Sequence, residues 1–209
     1  ANVGSHVLSA ANLHSTHDGY DLTLTGSATL AVQPKALTLD GFAASKVYDR
    51  STTATVNGSG QPGGLVAGDD LSFQPDANTF SLQFDSKNVG TARTVTLSGT
   101  YTWGDGAVGK VSNYTLPAGN TTTADITPAP LTAGSFAATP RAYDGTTAVA
   151  VSATSATLQG VISGDTVNVD LSADTSGTVQ DRHVGTAKAV AVQGAQITGA
   201  DAGNYRIAG

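Results

Sequence analysis

The sequence predicts an all-β protein in which immunoglobulin-like antiparallel β-sandwiches repeat in tandem and form an elongated rod. The composition favours strands, because Thr, Val and Gly are abundant, all sixteen acidic residues are Asp, and Glu, Met and Cys are absent. The chain also repeats itself at a spacing of about 95 residues, and each repeat holds about seven short segments of alternating polar and apolar residues. A β-grasp-like fold with one short helix is the alternative, since alternation alone does not separate the two.

The repeats are defined by four short motifs that recur in the same order. The pairs are Tyr48-Asp49 and Tyr143-Asp144, Gly68-Asp69 and Gly164-Asp165, Val89-Gly90 and Val184-Gly185, and Asn113-Tyr114 and Asn204-Tyr205. The opening Asn2-Val3-Gly4 matches the third motif. We therefore divide the chain into residues 1–33, which end a preceding repeat, a full repeat over residues 34–128, and a second repeat over residues 129–209 that lacks its last strand.

The strands of the full repeat are predicted from short alternating segments that lie between Gly, Asp and Asn residues. In chain order they cover residues 35–39, 54–57, 70–74, 79–84, 92–98, 114–117 and 122–126. The clearest alternation of apolar and polar residues runs from Arg93 to Leu97. Pro128 and Pro130 then predict an extended and fairly stiff joint before the second repeat, because proline fixes one backbone dihedral and biases its predecessor away from helix.

The Tyr-Asp motif is a candidate turn. Tyr48 and Asp49 recur as Tyr143 and Asp144, where Gly145 follows. Asp-Gly suits a turn that needs a positive φ, and an Asp side chain can accept a hydrogen bond from the backbone N–H two residues on. We expect the Tyr to anchor this turn to the sandwich, which favours a structural role over a sugar-binding tip.

Asp69 and Asp165 end the Gly-Asp motif and are candidate calcium ligands, because Ca²⁺ prefers oxygen donors. A calcium loop usually supplies three or more spaced oxygen ligands, and neither motif does, so we expect solvated turn carboxylates. His6, His14 and His17 lie close together in the leading segment, but this segment has a strand and loop pattern and predicts surface histidines. No metal or other cofactor is therefore predicted.

Tyr101, Trp103 and Asp105 lie in an insertion that the second repeat lacks. Two aromatic residues at this spacing share one face of a strand, and aromatic faces stack on sugar rings. The three residues are therefore candidates for ligand binding. Packing of Trp103 in the core is the favoured interpretation, because β-sandwiches often bury one Trp.

Several classes of function are excluded or disfavoured by composition. The net charge is -6 and the ten Lys and Arg residues are scattered, so a nucleic-acid partner is not expected. No apolar run is long enough to span a membrane, and the first residues lack the pattern of a signal peptide. The chain has no Cys, no Glu and no Gly-x-Ser-x-Gly motif, so we do not expect an enzyme.

The second repeat closely resembles the YDG repeat of large bacterial surface proteins of the filamentous-haemagglutinin type, and it is similar to MBG repeats of other adhesins. The resemblance rests on Tyr143-Asp144-Gly145-Thr146-Thr147, on Val161-Ile162-Ser163-Gly164-Asp165, on Val184-Gly185 and on Ala200-Asp201-Ala202-Gly203-Asn204-Tyr205. The first full repeat departs from it, with Arg50 in place of Gly and Val111-Ser112 before its Asn-Tyr pair.

The resemblance implies export by two-partner secretion and a place on the bacterial cell surface or outside the cell. It implies a stalk in a large adhesin that contributes to adhesion and biofilm formation. The expected partners are neighbouring repeats of the same chain and cell-surface or biofilm polysaccharide, and the segment is expected to be a monomer. In the alternative, each repeat is itself a carbohydrate-binding or self-associating module.

Overall fold

The computed structural model of the protein describes residues 2–8, 19, 28–171 and 175–208. The fold consists of two compact units. Unit 1 comprises Ala1–Ala44, Thr55–Gln83 and Val95–Thr123, and unit 2 comprises Ser45–Ala54, Phe84–Thr94 and Ala124–Gly209. The units do not coincide with the sequence repeats, because two segments of the first repeat, 45–54 and 84–94, belong to unit 2 together with the second repeat.

Regular structure in the described residues consists of strands and two 3-10 helices of three residues each, which confirms the all-β prediction. The strands are β1 (Gly4–Leu8), β2 (Ala28–Val32), β3 (Lys35–Ala36), β4 (Lys46–Val47), β5 (Thr53–Ala54), β6 (Leu71–Pro75), β7 (Ser81–Phe84), β8 (Gly90–Ser98), β9 (Tyr101–Asp105), β10 (Tyr114–Thr115), β11 (Thr121–Thr127), β12 (Ala129–Gly134), β13 (Ala137–Ala138), β14 (Ala148–Val149), β15 (Val151–Ser152), β16 (Thr157–Gln159), β17 (Asn168–Asp170), β18 (Ser176–Val179), β19 (Val190–Gln193), β20 (Gln196–Thr198) and β21 (Tyr205–Ile207). The 3-10 helices are Val111–Asn113 and Ala202–Asn204. Each helix ends at the Asn of an Asn-Tyr motif, and the Tyr of that motif follows it. In the part of the chain that the structure describes, no helix has the length and hydrophobicity needed to cross a membrane.

The strands form several small sheets. β1 pairs antiparallel with β2, β6 pairs antiparallel with β9, and β3 pairs parallel with β10 in unit 1. A five-stranded sheet has the order β4-β11-β8-β7-β5. In unit 2, the sheets have the orders β16-β12-β21, β14-β18-β19, β13-β15 and β17-β20. The immunoglobulin-like arrangement of these strands within each repeat stays a prediction.

The seven strands predicted for the full repeat are all present, as β3, β5, β6, β7, β8, β10 and β11. The alternation in β8 is visible in its packing, since Val95 and Leu97 are buried while Thr94 is exposed. The short strands β3 and β5 are each extended by an isolated bridge, Thr38 to Gly63 and Ala43 to Val56. Alternation therefore located seven of the nine strands within residues 34–128, with ends that differ by a few residues, and it missed β4 and β9.

Each unit has its own set of buried side chains. The buried residues of unit 1 include Leu37, Phe42, Leu71, Val95 and Trp103. Those of unit 2 include Tyr48, Phe84, Ile126, Leu131 and Tyr205. Two of the unit 2 residues are tyrosines from the recurring motifs, so the packing of this unit depends on residues that the sequence repeats identify.

One pairing recurs in both repeats. Tyr114 of β10 lies beside Lys35 of β3, and Tyr205 of β21 lies beside Ala129 of β12, in both cases in a parallel pair. The Asn-Tyr motif is thereby attached to the first strand of its own repeat. This places the Tyr side chain in an equivalent position in the two repeats.

Candidate functional site

The turn at Asp49 has the chemistry that the sequence predicts. Asp49 Oδ1 accepts a hydrogen bond from the backbone N–H of Ser51 at 2.9 Å and from Lys46 Nζ at 2.7 Å. Burial alone would raise the pKa of Asp49, but the hydrogen bonds from Lys46 and Ser51 outweigh it and lower that pKa. Arg50 has a φ of 67°, so this turn needs a positive φ where the second repeat has glycine.

The second repeat builds the same turn. Asp144 Oδ1 accepts hydrogen bonds from the backbone N–H of Thr146 at 2.8 Å and from its hydroxyl at 2.9 Å. Arg141 donates to the same carboxylate and takes the place of Lys46. Gly145 has a φ of 79°. The turn prediction is therefore confirmed in both repeats.

Asp165 lies at the centre of a polar cluster within unit 2. Its Oδ2 accepts hydrogen bonds from the hydroxyls of Tyr48 and Tyr205, at 2.8 and 2.6 Å. Arg50 Nε lies 3.1 Å from Oδ1, and the Asp165 side chain is 0% exposed. The expectation of a solvated turn carboxylate is therefore wrong for Asp165, because two tyrosines and an arginine cover it.

The tyrosines of this cluster also contact each other. The rings of Tyr48 and Tyr205 meet edge to face, with centroids 5.4 Å apart and an interplanar angle of 75°. Tyr48 is 2% exposed. The predicted anchoring role of the motif tyrosine is confirmed here, but the anchor is the second repeat rather than the turn's own repeat.

The guanidinium of Arg50 lies against the backbone at Ser163 and Gly164. Arg50 Nη1 donates to the carbonyl of Ser163 at 2.6 Å. A Cβ atom at Gly164 would lie 2.1 Å from Arg50 Nη1, and Gly164 has a φ of 92°. Glycine is therefore favoured in this Gly-Asp motif by its positive φ, which the equivalent Gly68 shares at 91°, and at Gly164 a Cβ would also displace the guanidinium of Arg50.

A second pair of contacts joins the Asn-Val motif to the Asn-Tyr motif. The backbone N–H of Val89 donates to Asn204 Oδ1 at 2.9 Å, and Asn204 Nδ2 donates to Asn88 Oδ1 at 3.2 Å. Asn204 is buried. We call Tyr48, Arg50, Asn88 and Val89 the tip of the first repeat, and Asp165, Asn204 and Tyr205 the receiving face of the second.

Unit 1 contains the same Asn contacts a second time. The backbone N–H of Val3 donates to Asn113 Oδ1 at 2.9 Å, and Asn113 Nδ2 donates to Asn2 Oδ1 at 3.3 Å. Asn2 and Val3 correspond in sequence to Asn88 and Val89. The junction between an Asn-Val motif and the next Asn-Tyr motif is thus built twice from the same atoms.

The tyrosine of each receiving face makes equivalent hydrogen bonds. Tyr114 donates to Asp69 Oδ2 at 2.5 Å and accepts from the backbone N–H of Val66 at 3.2 Å. Tyr205 donates to Asp165 and accepts from the backbone N–H of Ile162 at 3.0 Å. Asp69, Asn113 and Tyr114 therefore form the receiving face of the first repeat.

Burial and hydrogen bonding act in opposite directions on Asp165. Burial alone would raise the pKa of this carboxyl, but the hydrogen bonds from Tyr205 and Tyr48 and the charge of Arg50 outweigh it and hold the pKa below its usual range. Burial and the neighbouring Asp165 carboxylate raise the pKa of both Tyr48 and Tyr205. At neutral pH the cluster thus holds an ionised Asp165 between two protonated tyrosines.

The ion pair at the tip compensates for backbone strain at Arg50. A non-glycine residue with positive φ costs roughly 1–2 kcal/mol. We expect Arg50→Ala, which keeps the strain and loses the ion pair, to be less stable than Arg50→Gly by about 1 kcal/mol. Urea unfolding curves of the two variants measure this difference. Equal stability of the two variants would show that the turn carries no strain at this position.

The candidates for ligand binding lie in unit 1, in and beside an aromatic cluster. Trp103 is 8% exposed, and its ring lies 4.9 Å from that of Phe73 and 5.6 Å from that of Phe42. The favoured packing role of Trp103 is confirmed. Tyr101 is half-buried against Phe73 and Phe80, with centroid distances of 5.7 and 5.8 Å.

Asp105 is exposed and organises the end of β9. It accepts a hydrogen bond from the backbone N–H of Val111 at 2.9 Å and from Lys110 Nζ at 3.0 Å. These bonds, that of Val111 first, lower the pKa of Asp105. The structure therefore does not bring Tyr101, Trp103 and Asp105 together on one exposed surface, and their role in ligand binding stays a prediction.

The histidines of the leading segment and the candidate metal ligands are the last residues that the sequence singles out. His6 Nε2 lies 2.7 Å from the carbonyl oxygen of Asn2 and is half-buried, whereas His14 and His17 lie outside the described residues. No group of three or more His or Asp side chains in the described ranges is arranged to hold a metal ion.

Sequence reasoning missed that the recurring motifs contact one another across repeats. From the sequence alone, Arg50 is only a departure from the family pattern, and Asn204 is only the first residue of a recurring Asn-Tyr pair. The available signal is the recurrence of Asn-Val-Gly, at Asn2 in the leading segment and at Asn88 in the full repeat.

The comparisons with known proteins agree with this organisation. The model of the YDG domain matches residues 33–124 and 127–209. Searches of the curated proteins and of the solved structures return no match. The two matched ranges cover most of the chain, and the motifs that identified the repeats are the ones that build the junctions. The chain therefore belongs to the YDG domain family and contains two YDG domains.

Proposed function

We propose that the chain is a spacer segment in the stalk of a large bacterial surface adhesin, of the filamentous-haemagglutinin type that two-partner secretion exports. The observation that supports this proposal is the repeated junction. The same backbone N–H and Asn side chains join Val3 to Asn113 and Val89 to Asn204. A chain that serves as a spacer needs successive repeats to be held together by specified contacts, whereas a loosely tethered binding module does not.

The contacts among the motif residues support the same proposal. Tyr48, Asp165 and Tyr205 are the most chemically distinctive residues of the repeat, and they bind each other instead of facing solvent. A repeated ligand site would leave such residues accessible. The junction thus accounts for the motifs without any ligand.

The low charge and the absence of Cys and Glu fit this proposal as well, because a spacer needs neither a catalytic group nor a redox centre. In the alternative function each repeat binds carbohydrate through Tyr101, Trp103 and Asp105. Trp103 is buried and its ring packs against the rings of Phe42 and Phe73. This packing leaves little of the indole accessible to a sugar ring, so it does not favour the alternative.

The experiment displays the chain on bacterial cells between an outer-membrane anchor and a binding head of known specificity. Attachment to a surface coated with the head's ligand beneath a grafted polymer layer should increase as one, two and three copies of the chain are inserted. A Gly/Ser linker with the same number of residues is the matched control, because the end-to-end distance of a flexible coil increases only as the square root of its length.

Cells that display the chain without the head test the alternative directly. The spacer proposal expects no saturable attachment to a glycan array or to extracellular polysaccharide, with Ca²⁺ or with chelator. Saturable attachment of these headless cells would contradict it and would favour a lectin-like module.

A further inference from the structure

The second repeat exposes the residues that correspond to the tip of the first. Tyr143 is 61% exposed and Val184 is 86% exposed. Their counterparts are covered, since Tyr48 is 2% exposed and Val89 is half-buried. The anchoring role predicted for Tyr143 is therefore wrong among the described residues, because this tyrosine packs on no core.

The exposed tip shares two local backbone features with the covered one, although β8 begins at Gly90 and β19 begins only at Val190, five residues after the equivalent Gly185. His183 donates its N–H to Asp181 Oδ1 at 2.8 Å, as Asn88 donates to Ser86 Oγ at 3.1 Å. The following turn has a positive φ in both repeats, 52° at Ala187 and 48° at Ala92. A tip that is partly preorganised in this way loses less conformational entropy when it binds than a tip without these features would.

The exposed tip borders a groove within unit 2. Its volume is about 710 Å³, and its lining includes Tyr143, Val149, Val179, His183, Val184 and Val190. Arg141, Arg182 and Lys188 contribute three basic side chains to this lining, and Arg141 and Lys188 are paired with the carboxylates of Asp144 and Asp181. The groove is thus lined largely by apolar side chains, which suits a partner that brings an aromatic ring.

The receiving face of the first repeat shows the chemistry of such a partner. Asp69 Oδ2 accepts a hydrogen bond from Tyr114, while the equivalent Asp165 Oδ2 accepts hydrogen bonds from two tyrosines. A cleft of about 360 Å³ lies beside Asp69 and Tyr114. A receiving face therefore has room and hydrogen-bonding capacity for a tyrosine from another repeat.

We infer that Tyr143, His183 and Val184 form a docking surface for the receiving face of a further YDG domain, with its Gly-Asp carboxylate and its Asn-Tyr pair. Tyr143 donates its hydroxyl to the Asp carboxylate of that domain, and the N–H of Val184 donates to its Asn side chain. The occupant is assigned by the contacts of Tyr48 and Val89 with Asp165 and Asn204. This inference goes beyond the stalk proposal and does not depend on surface location or adhesion.

The proposed docking differs from the observed junction in two respects. His183 stands where the first tip has Asn88, so the hydrogen bond that Asn204 donates to Asn88 has no direct counterpart. Gly145 stands where the first tip has Arg50, so the Asp carboxylate of the docked domain gains no ion pair from this turn. We therefore expect the docking to be less sensitive to salt than the junction around Asp165.

The experiment extends the full chain after Gly209 with a second copy of residues 120–209. Gly209 corresponds to Gly119, so the added copy supplies the last strand of the second repeat and then a further receiving face. NMR-detected hydrogen exchange compares the Val184 amide in the original and the extended chain. We expect exchange at Val184 to slow by at least about tenfold in the extended chain and to stay fast in the original.

The Val89 amide is the internal control, because it is bound to Asn204 in both chains. In the extended chain, Tyr143→Ala should restore fast exchange at Val184. Asp165→Asn, made only in the added copy, should restore part of the exchange rate at Val184. In the original chain, Tyr143→Ala should leave the unfolding midpoint unchanged, because this side chain is exposed. Fast exchange at Val184 while Val89 and the added domain are protected would overturn the inference, as would protection of Val184 already in the original chain.

Discussion

Replacement of Trp103 by alanine is expected to lower the free energy of unfolding by about 3–5 kcal/mol. Trp103 is 8% exposed and packs against Phe42 and Phe73, and Phe42 is itself completely buried. Removal of the indole leaves a cavity next to two rings that are held by β6 and by the segment before β4, so the site can collapse only in part. Urea unfolding followed by far-UV circular dichroism measures the loss, because the variant has no Trp left for fluorescence.

The neighbouring Tyr101 provides the matched control. It is half-buried on the same strand and contacts the same cluster from its edge, so Tyr101→Ala should cost clearly less than Trp103→Ala. A Trp103→Ala protein with unchanged stability would contradict the packing role. If that stable variant also lost binding to a glycan, the residue would instead belong to a carbohydrate site.

The strands and turns of each repeat could be predicted because local chemistry determines them. The alternation from Arg93 to Leu97 is expressed in β8, where the apolar residues are buried. The Asp49 and Asp144 turns follow from the ability of an Asp side chain to accept a hydrogen bond from the backbone two residues on. Such features involve neighbours in sequence and need no knowledge of the rest of the fold.

The junctions could not be predicted in the same way, because their residues are more than 100 positions apart. The carboxylate of Asp165 has the sequence context of a solvated turn, and its burial depends on Tyr48 and Arg50 of the preceding repeat. Nothing near Arg50 in sequence indicates that its unfavourable φ is balanced by an ion pair in the next repeat. The repeat spacing identified the right residues, but it did not show which of them bind each other.

Replacement of Asp165 by asparagine is expected to lower the free energy of unfolding by about 3 kcal/mol, because hydrogen bonds to a charged group contribute about 1.5–3 kcal/mol each. The variant keeps the size of the side chain and one oxygen for the two tyrosine hydroxyls, but it removes the charge that strengthens these bonds. It also places an amide NH2 donor where Oδ1 faces Arg50 Nε, so two donors meet there. Asp69→Asn is the matched control. Asp69 is half-buried and accepts a hydrogen bond from Tyr114, so its replacement should cost about 1 kcal/mol.

The pH dependence of stability gives the same prediction a second test. The folded-state pKa of Asp165 lies below its unfolded value of about 3.9, so its contribution is fully present above about pH 4 and is lost as the pH falls through the folded-state pKa. The raised pKa values of Tyr48 and Tyr205 act in the opposite direction, and their contribution is lost as the pH rises above about 10. The junction should therefore contribute most between these limits.

Urea unfolding at a series of pH values from neutral to strongly acid compares the wild type with Asp165→Asn. The difference in stability should be largest at neutral pH and should shrink below about pH 4, because protonation of Asp165 in the wild type removes the charge that the variant already lacks. Asp69→Asn separates this effect from the general acid sensitivity of a protein whose sixteen acidic residues are all Asp. A difference that stays constant down to acid pH would contradict an ionised, tyrosine-bound Asp165, and the junction would then depend on shape and apolar contact between Tyr48 and Tyr205 instead of charge.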